Sequence, residues 1–203
     1  DDAYAMSDDY TVDVFNTYHY TIYVPSNEAI KSAIEQGLPT IAQAESFLRD
    51  NNLSESQEKE YLDSIRSILH DFVCYHIHDN SVYIGGTEVK DVEYQTGTMN
   101  MEERVFRRVR VSADQSSLTV VDGAGRSHGV EVIPENEGVY YNLMTRDYLF
   151  NDGDTGGNVS EDDLNITKSK CIETSSFAVI HAINVVLLYD SAQLETYKNR
   201  VAQ

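Results

Sequence analysis

The side chains able to do chemistry fall into a few groups. His70, His76 and His78 lie close together with Asp71 and Asp79 beside them, the residue types from which a zinc site is assembled. Their spacing works against a closed site. His76 and His78 share a face only in an extended segment, His70 belongs to the helical pattern before them, and His181 is the one residue that could complete the set. The reading the residues favour is that His76 and His181 are partly buried and tie strands together by hydrogen bonds.

A second group is acidic. Residues 152–163 (DGDTGGNVSEDD) put Asp152, Asp154 and Asp163 at the first, third and twelfth places, with Asn158 and Ser160 as further oxygen donors and Gly157 at the sixth. That is most of an EF-hand spacing, since hard Ca²⁺ takes six or more oxygens and the central glycine permits the turn. Gly156 stands at the fifth place, where a side-chain oxygen is expected, and no clear helix pair flanks the loop. A solvated acidic surface loop is the favoured reading, with calcium as the alternative and no other cofactor expected.

Arg104, Arg107, Arg108 and Arg110 crowd one strand-like run. Alternation sends Arg104, Arg108 and Arg110 to one face and leaves Arg107 on the apolar side, unless a bulge re-aims it. Such a stripe would take an anionic partner or, more ordinarily, pair with the chain's own carboxylates. Cys74 and Cys171 sit beside apolar residues as core thiols, and no bond between them is expected. Phosphate-binding glycine loops, nucleophile elbows and zinc-protease helices are all absent from the sequence, so no catalytic residue is expected.

The element that must position these groups is residues 175–188 (SSFAVIHAINVVLL), apolar on both parities and rich in Val and Ile, which predicts a central strand buried on both faces. His181 and Asn184 interrupt it and need partners. Residues 10–24 predict two strands joined at Asn16-Thr17. Pro25 and Ser26 end the second and cap a helix with Ile30, Ala33 and Ile34 inward, closed by Gly37. Residues 40–50 predict a short helix with Ile41, Ala44, Phe47 and Leu48 on one side. The clearest helix starts at a Ser54–Gln57 capping box and repeats Tyr61, Leu62, Ile65, Ile68, Leu69, Phe72 and Val73 at helical spacing. Strand patterns follow at 82–86, 87–96, 104–112, 117–122 and 129–133, and 192–203 predict a closing short helix. Helices first and strands after, without alternation, predict an α+β fold.

Three segments carry a resemblance. Residues 21–30 (TIYVPSNEAI), the Tyr75-His76 pair and residues 177–188 (FAVIHAINVVLL) are similar, in order and separation, to the signature segments of fasciclin domains. The resemblance covers about residues 10–189 and implies a fasciclin-like wedge of two β-sheets flanked by helices. It implies partner contact through Tyr75 and His76, a pair associated with integrin contact in animal members. A structural polar core of Thr21, Asn27, His181 and Asn184 goes with it. The chain departs from the family in three places. The usual N-terminal helices are missing, Asn184 replaces an Asp, and residues 38–72 and 140–170 are longer than a minimal domain. The insertions resemble those of fasciclin-like surface lipoproteins of gut Bacteroidetes.

The chain of 203 residues reads as one domain, 1–203. With 34 acidic against 15 basic residues its net charge of −19 argues against nucleic acid and anionic membrane surfaces. No apolar run reaches the ~18 residues of a membrane span. Asp1 without a Met or leader suggests a processed piece, the last domain or a remnant of a longer surface protein whose neighbour supplies the missing helices. The function expected is non-catalytic cell-surface adhesion or extracellular ligand binding, exported and lipid-anchored through a segment outside this chain. The alternative is a glycan-binding accessory module of a polysaccharide-uptake system. An aromatic-lined groove would favour sugar, and a contiguous apolar patch a protein partner.

Overall fold

The alternation of Thr21, Ile22, Tyr23 and Val24 makes Tyr20–Pro25 a strand, β1, with Thr21 and Tyr23 buried and Val24 exposed. In the computed structural model, which describes residues 19–130, 133–135, 139–141, 143–145 and 178–201, β1 leads straight into a helix. Ser26 is extended, and its Oγ accepts the Ala29 N–H at 3.2 Å, starting α1 (Asn27–Gln36) with Glu28 in the first turn. Gly37, at φ +130°, closes it by donating to the Ala33 and Ile34 carbonyls. α2 (Ile41–Asp50) and α3 (Glu55–Tyr75) each open on a capping box, Thr40 with Gln43 and Ser54 with Gln57.

The strands that follow are β2 (Ile77–Asp79), β3 (Val89–Asn100), β4 (Val105–Ala113), β5 (Leu118–Val121) and β6 (Ser127–Gly129). Then come β7 (Ile133–Glu135), β8 (Val139–Tyr141), β9 (Leu143–Thr145) and β10 (Ala178–Ile183), and α4 (Gln193–Val201) ends the described chain. Eight strands run in the order β6-β5-β4-β3-β2-β1-β10-β9, and β7 pairs with β8 separately. Only β1 and β10 run parallel; the other described pairings are antiparallel. The fold is therefore a mixed α+β arrangement, as the order of patterns predicts.

Two buried clusters share the core. Tyr23, Tyr75, Val109, Val111, Val120, Ile183 and Leu187 pack against the sheet. Ala33, Ile68, Phe72, Val186, Leu188 and Tyr197 pack among the helices. Residues 185–188 run between them and send alternate side chains to each.

Several expectations need correction. Strand β10 lies inside the sheet between β1 and β9 and ends at Ile183, so it is neither the middle strand nor as long as the apolar run. Residues 82–86 form a loop with a turn and not a strand: Val82 is buried in the core, Ile84 packs partly against it, and Gly85 reverses the chain at φ +84°. On α2 only Ala44 is buried; Ile41 and Phe47 are exposed, although Phe47 stacks on Tyr61 of α3 with ring centres 4.5 Å apart. Val73 also faces outward. The first strand expected in 10–24, Cys171 and the acidic loop 152–163 lie outside the described residues.

Candidate functional site

His76 is the point where distant segments meet. It caps α3 in a non-helical conformation, and its backbone carbonyl accepts the Tyr23 N–H at 2.8 Å. Its Nδ1–H donates to the Phe72 carbonyl at 2.8 Å, which leaves Nε2 as a bare lone pair, and this accepts the Leu187 N–H at 2.9 Å. The ring must be neutral for that bond to exist. Burial pushes its pKa down to about 4, against the opposing pull of the Phe72 bond and of Asp122. Tyr75 is equally enclosed: its hydroxyl donates to the Arg108 carbonyl (3.2 Å) and accepts the Gly123 N–H (2.7 Å), and burial raises its pKa to about 12. With relative exposures of 1% and 4%, Tyr75 and His76 present no surface to a partner, which corrects the expectation of direct contact through them.

Asp122 is the second anchor. Its side chain is fully buried, and Oδ2 accepts from Arg126 Nη2 at 2.6 Å, Arg126 Nε at 3.0 Å and the Leu188 N–H at 3.1 Å, while Oδ1 accepts the Arg126 N–H. Arg126 Nη2 also donates to the Val186 carbonyl at 3.0 Å. Residues 186–188 thus take, from His76, Asp122 and Arg126, the partners that a neighbouring strand would otherwise supply. A carboxylate accepting so many donors is a satisfied buried charge, which is the condition for its burial.

The third part of the network lies under β1. Thr21 Oγ1 donates to the Asn80 carbonyl at 2.8 Å and accepts the Val82 N–H at 2.9 Å. His181 Nε2–H donates to the Val82 carbonyl at 2.8 Å. His78 Nδ1–H donates to the Asp79 carbonyl at 2.5 Å, and its Nε2 accepts the Tyr23 hydroxyl at 3.1 Å. Burial pushes the pKa values of both His78 and His181 down to about 4 and raises that of Tyr23. Of the expected polar core, Thr21 and His181 are fully buried; Asn27 and Asn184 are exposed, Asn27 because it opens α1 on the solvent side and Asn184 because the chain leaves the sheet there.

Arg107, Arg108 and Arg110 divide as alternation predicts, whereas Arg104, expected on the outer face of the strand, precedes it. Arg108 pairs with Glu93 at 2.6 Å and Arg110 with Asp91 at 3.1 Å, both exposed, so the chain's own carboxylates take up that stripe. Arg107 turns inward and lies over the Tyr189 ring, 3.7 Å from its centre. Arg104 sits in the hairpin turn at φ +55°. His70 is near Asp71 (3.9 Å) and Cys74 (3.5 Å). Among the described residues no group of His, Cys, Asp and Glu is arranged to hold a metal.

Two surfaces stand out beyond this interior. At the free end of the β3–β4 hairpin, Met99 faces Phe106 across the strands, Val105 is the next residue, and Met101 in the turn is 78% exposed; all four are exposed apolar side chains. At the opposite end of β3, a groove of about 430 Å³ opens between the loop after β2 and the strand. Sequence reasoning missed Asp122, which stands only as the last residue of the 117–122 strand pattern, and His78 as a partner of Tyr23. The Asp122–Arg126 spacing was a signal for the former, whereas nothing local points to the latter.

No family model matches the chain. The curated proteins compared with it also give no match.

Proposed function

We propose that this chain is a fasciclin-type, non-catalytic module exported to the cell surface, whose role is adhesion to an extracellular protein. The observation that supports the type is His76. Its carbonyl and ring bind residues of the two other fasciclin-like segments, Tyr23 and Leu187, so the three stretches that carry the resemblance form one hydrogen-bonded unit. The wedge of two β-sheets belongs to the same reading, with β3 as the shared element: it pairs along β4 but meets β2 only at His78–Thr96.

The surface that supports adhesion is the hairpin end. Met99 and Phe106 form an exposed cross-strand pair with Met101 in the turn beyond it and Val105 exposed on the other face of the hairpin, on a protein of net charge −19, and methionine and aromatic side chains are enriched at protein interfaces. A non-catalytic role is supported by the way the buried titratable groups are committed: His76, His78, His181 and Asp122 each hold backbone or core partners. The test is adhesion of beads coated with the protein to a cell layer. Attachment should fall when the layer is treated with protease and when Phe106 and Met101 are changed together to Asp. Attachment that survives both treatments would overturn the reading.

A further inference from the structure

The groove at the far end of β3 is a second surface, independent of the hairpin. We propose that it is a binding site for a neutral saccharide. The half-buried Tyr83 and Tyr94 line it together with the polar residues Asn80, Ser81 and Thr87. Val82 and Val89 complete the lining. Among the described residues no charged side chain lines it, on a chain in which 24% of residues are charged. A volume of about 430 Å³ is the size of a small-ligand site.

The chemistry of the lining selects the ligand class. Aromatic rings offer flat apolar faces to the C–H faces of a pyranose, and amide and hydroxyl groups both donate and accept, as sugar hydroxyls do. An anionic or cationic ligand would leave its charge unanswered here. Ser81 Oγ is enclosed without a hydrogen-bond partner among the described residues, and rotation of this side chain toward the groove would let a ligand hydroxyl satisfy it. The ring of Tyr94 is stacked on His78 at 4.7 Å, and that of Tyr83 lies against Gly86, where an added Cβ would come within 2.8 Å of it. One side of each ring is therefore fixed by the protein.

The polar interior gives this groove its rigidity. Asn80 is held at φ +68°, with its N–H on the His19 carbonyl (2.8 Å) and its own carbonyl on Thr21 Oγ1. Val82 is clamped through its N–H by Thr21 and through its carbonyl by His181. Buried groups fixed for structural reasons thus pre-form the floor of the groove, which lowers the ordering cost of binding.

The experiment is a titration of the whole chain with cellotetraose, maltotetraose, xylotetraose and mannotetraose, followed by NMR shifts of the protein amides, with tetragalacturonate as the charged comparison. At least one neutral tetrasaccharide should bind with a dissociation constant of about 1 mM or better, shifting the amides of Ser81 and Thr87. Tyr83→Ala should weaken it about tenfold and Tyr83→Phe should restore it, since the ring and not the hydroxyl makes the contact. Thermal melts of both variants confirm that the fold is retained, and Ser81→Ala serves if Tyr83→Ala does not fold. The double change at Phe106 and Met101 should leave sugar binding intact, which keeps this site separate from the adhesion surface. Binding by none of the neutral sugars, preference for tetragalacturonate, or shifts confined to residues away from the groove would each overturn the proposal.

Discussion

Residues 184–188 and the end of the β3–β4 hairpin are built in opposite ways. The hairpin has a ladder and leaves its side chains bare: Met99 pairs with Phe106 and Asn100 with Val105 in register, yet three of these four point apolar atoms at solvent. The segment after β10 has no ladder and hides its side chains: Val186, Leu187 and Leu188 are buried, while their amides and carbonyls are met by His76, Asp122, Arg126 and Ala124. Backbone pairing and side-chain burial are separate demands, and this protein meets them separately. A surface meant for contact keeps the first and gives up the second. A segment that holds the core together does the reverse, and then depends on a few polar side chains staying in one protonation state.

Acid should break the comparison most strongly. His76, His78 and His181 have folded pKa values of about 4 against an ordinary value of 6.5. The unfolded chain therefore binds more protons between those limits. The stabilisation is complete above pH 6.5 and is lost as pH falls toward 4, with a slope of about 1.4 kcal/mol per pH unit for each histidine. Together they would remove about 4 kcal/mol per unit, so by about pH 5 the loss is comparable to the whole stability of an ordinary domain. Urea melts at neutral pH and at about pH 5 measure this; equal midpoints would mean the three rings are not held neutral.

Asp122→Ala comes next. It strips the buried Leu188 amide and the half-exposed Arg126 side chain of their shared acceptor, and leaving a buried donor unpaired costs about 1–3 kcal/mol. Denaturation midpoints should drop accordingly, while NMR shifts at Met99 and Phe106 stay in place. A cost under about 1 kcal/mol, the worth of an exposed ion pair, would show that the carboxylate is solvated. The smallest effect belongs to the hairpin. Met101→Ser should change stability by less than about 0.5 kcal/mol, as for surface positions generally, and a larger loss would mean that Met101 is packed in the folded protein.

The local parts of the fold were legible. Ser26 with Ala29, and Ser54 with Gln57, act within one helical turn, so the sequence carries both partners of each cap side by side. The alternation in 104–112 placed Arg108 and Arg110 outward and Arg107 inward, because the pleat has a period of two wherever a strand runs. The same alternation misled at 184–188. It reports that side chains go to two sides, and an extended segment wedged between two core clusters satisfies that as well as a strand does. At 82–86, β-type residues bend because Val82 is caught by Thr21 and His181, neither of them near in sequence.

By itself, then, the chain determined its helices, their starting points, the parity of its strands, an acidic surface and the mixed α+β class. These depend on interactions between residues a few places apart and on composition. Only the tertiary structure decided that Tyr75 and His76 are interior, that Asn27 and Asn184 are not, that Asp122 is an anchor, and that β3 has an apolar end and a neutral groove. The bonds that decide this join His76 to Leu187 and Asp122 to Leu188, 111 and 66 residues apart. Burial of a polar group at such a distance depends on which partner the fold brings to it, and that is settled only when the whole core closes.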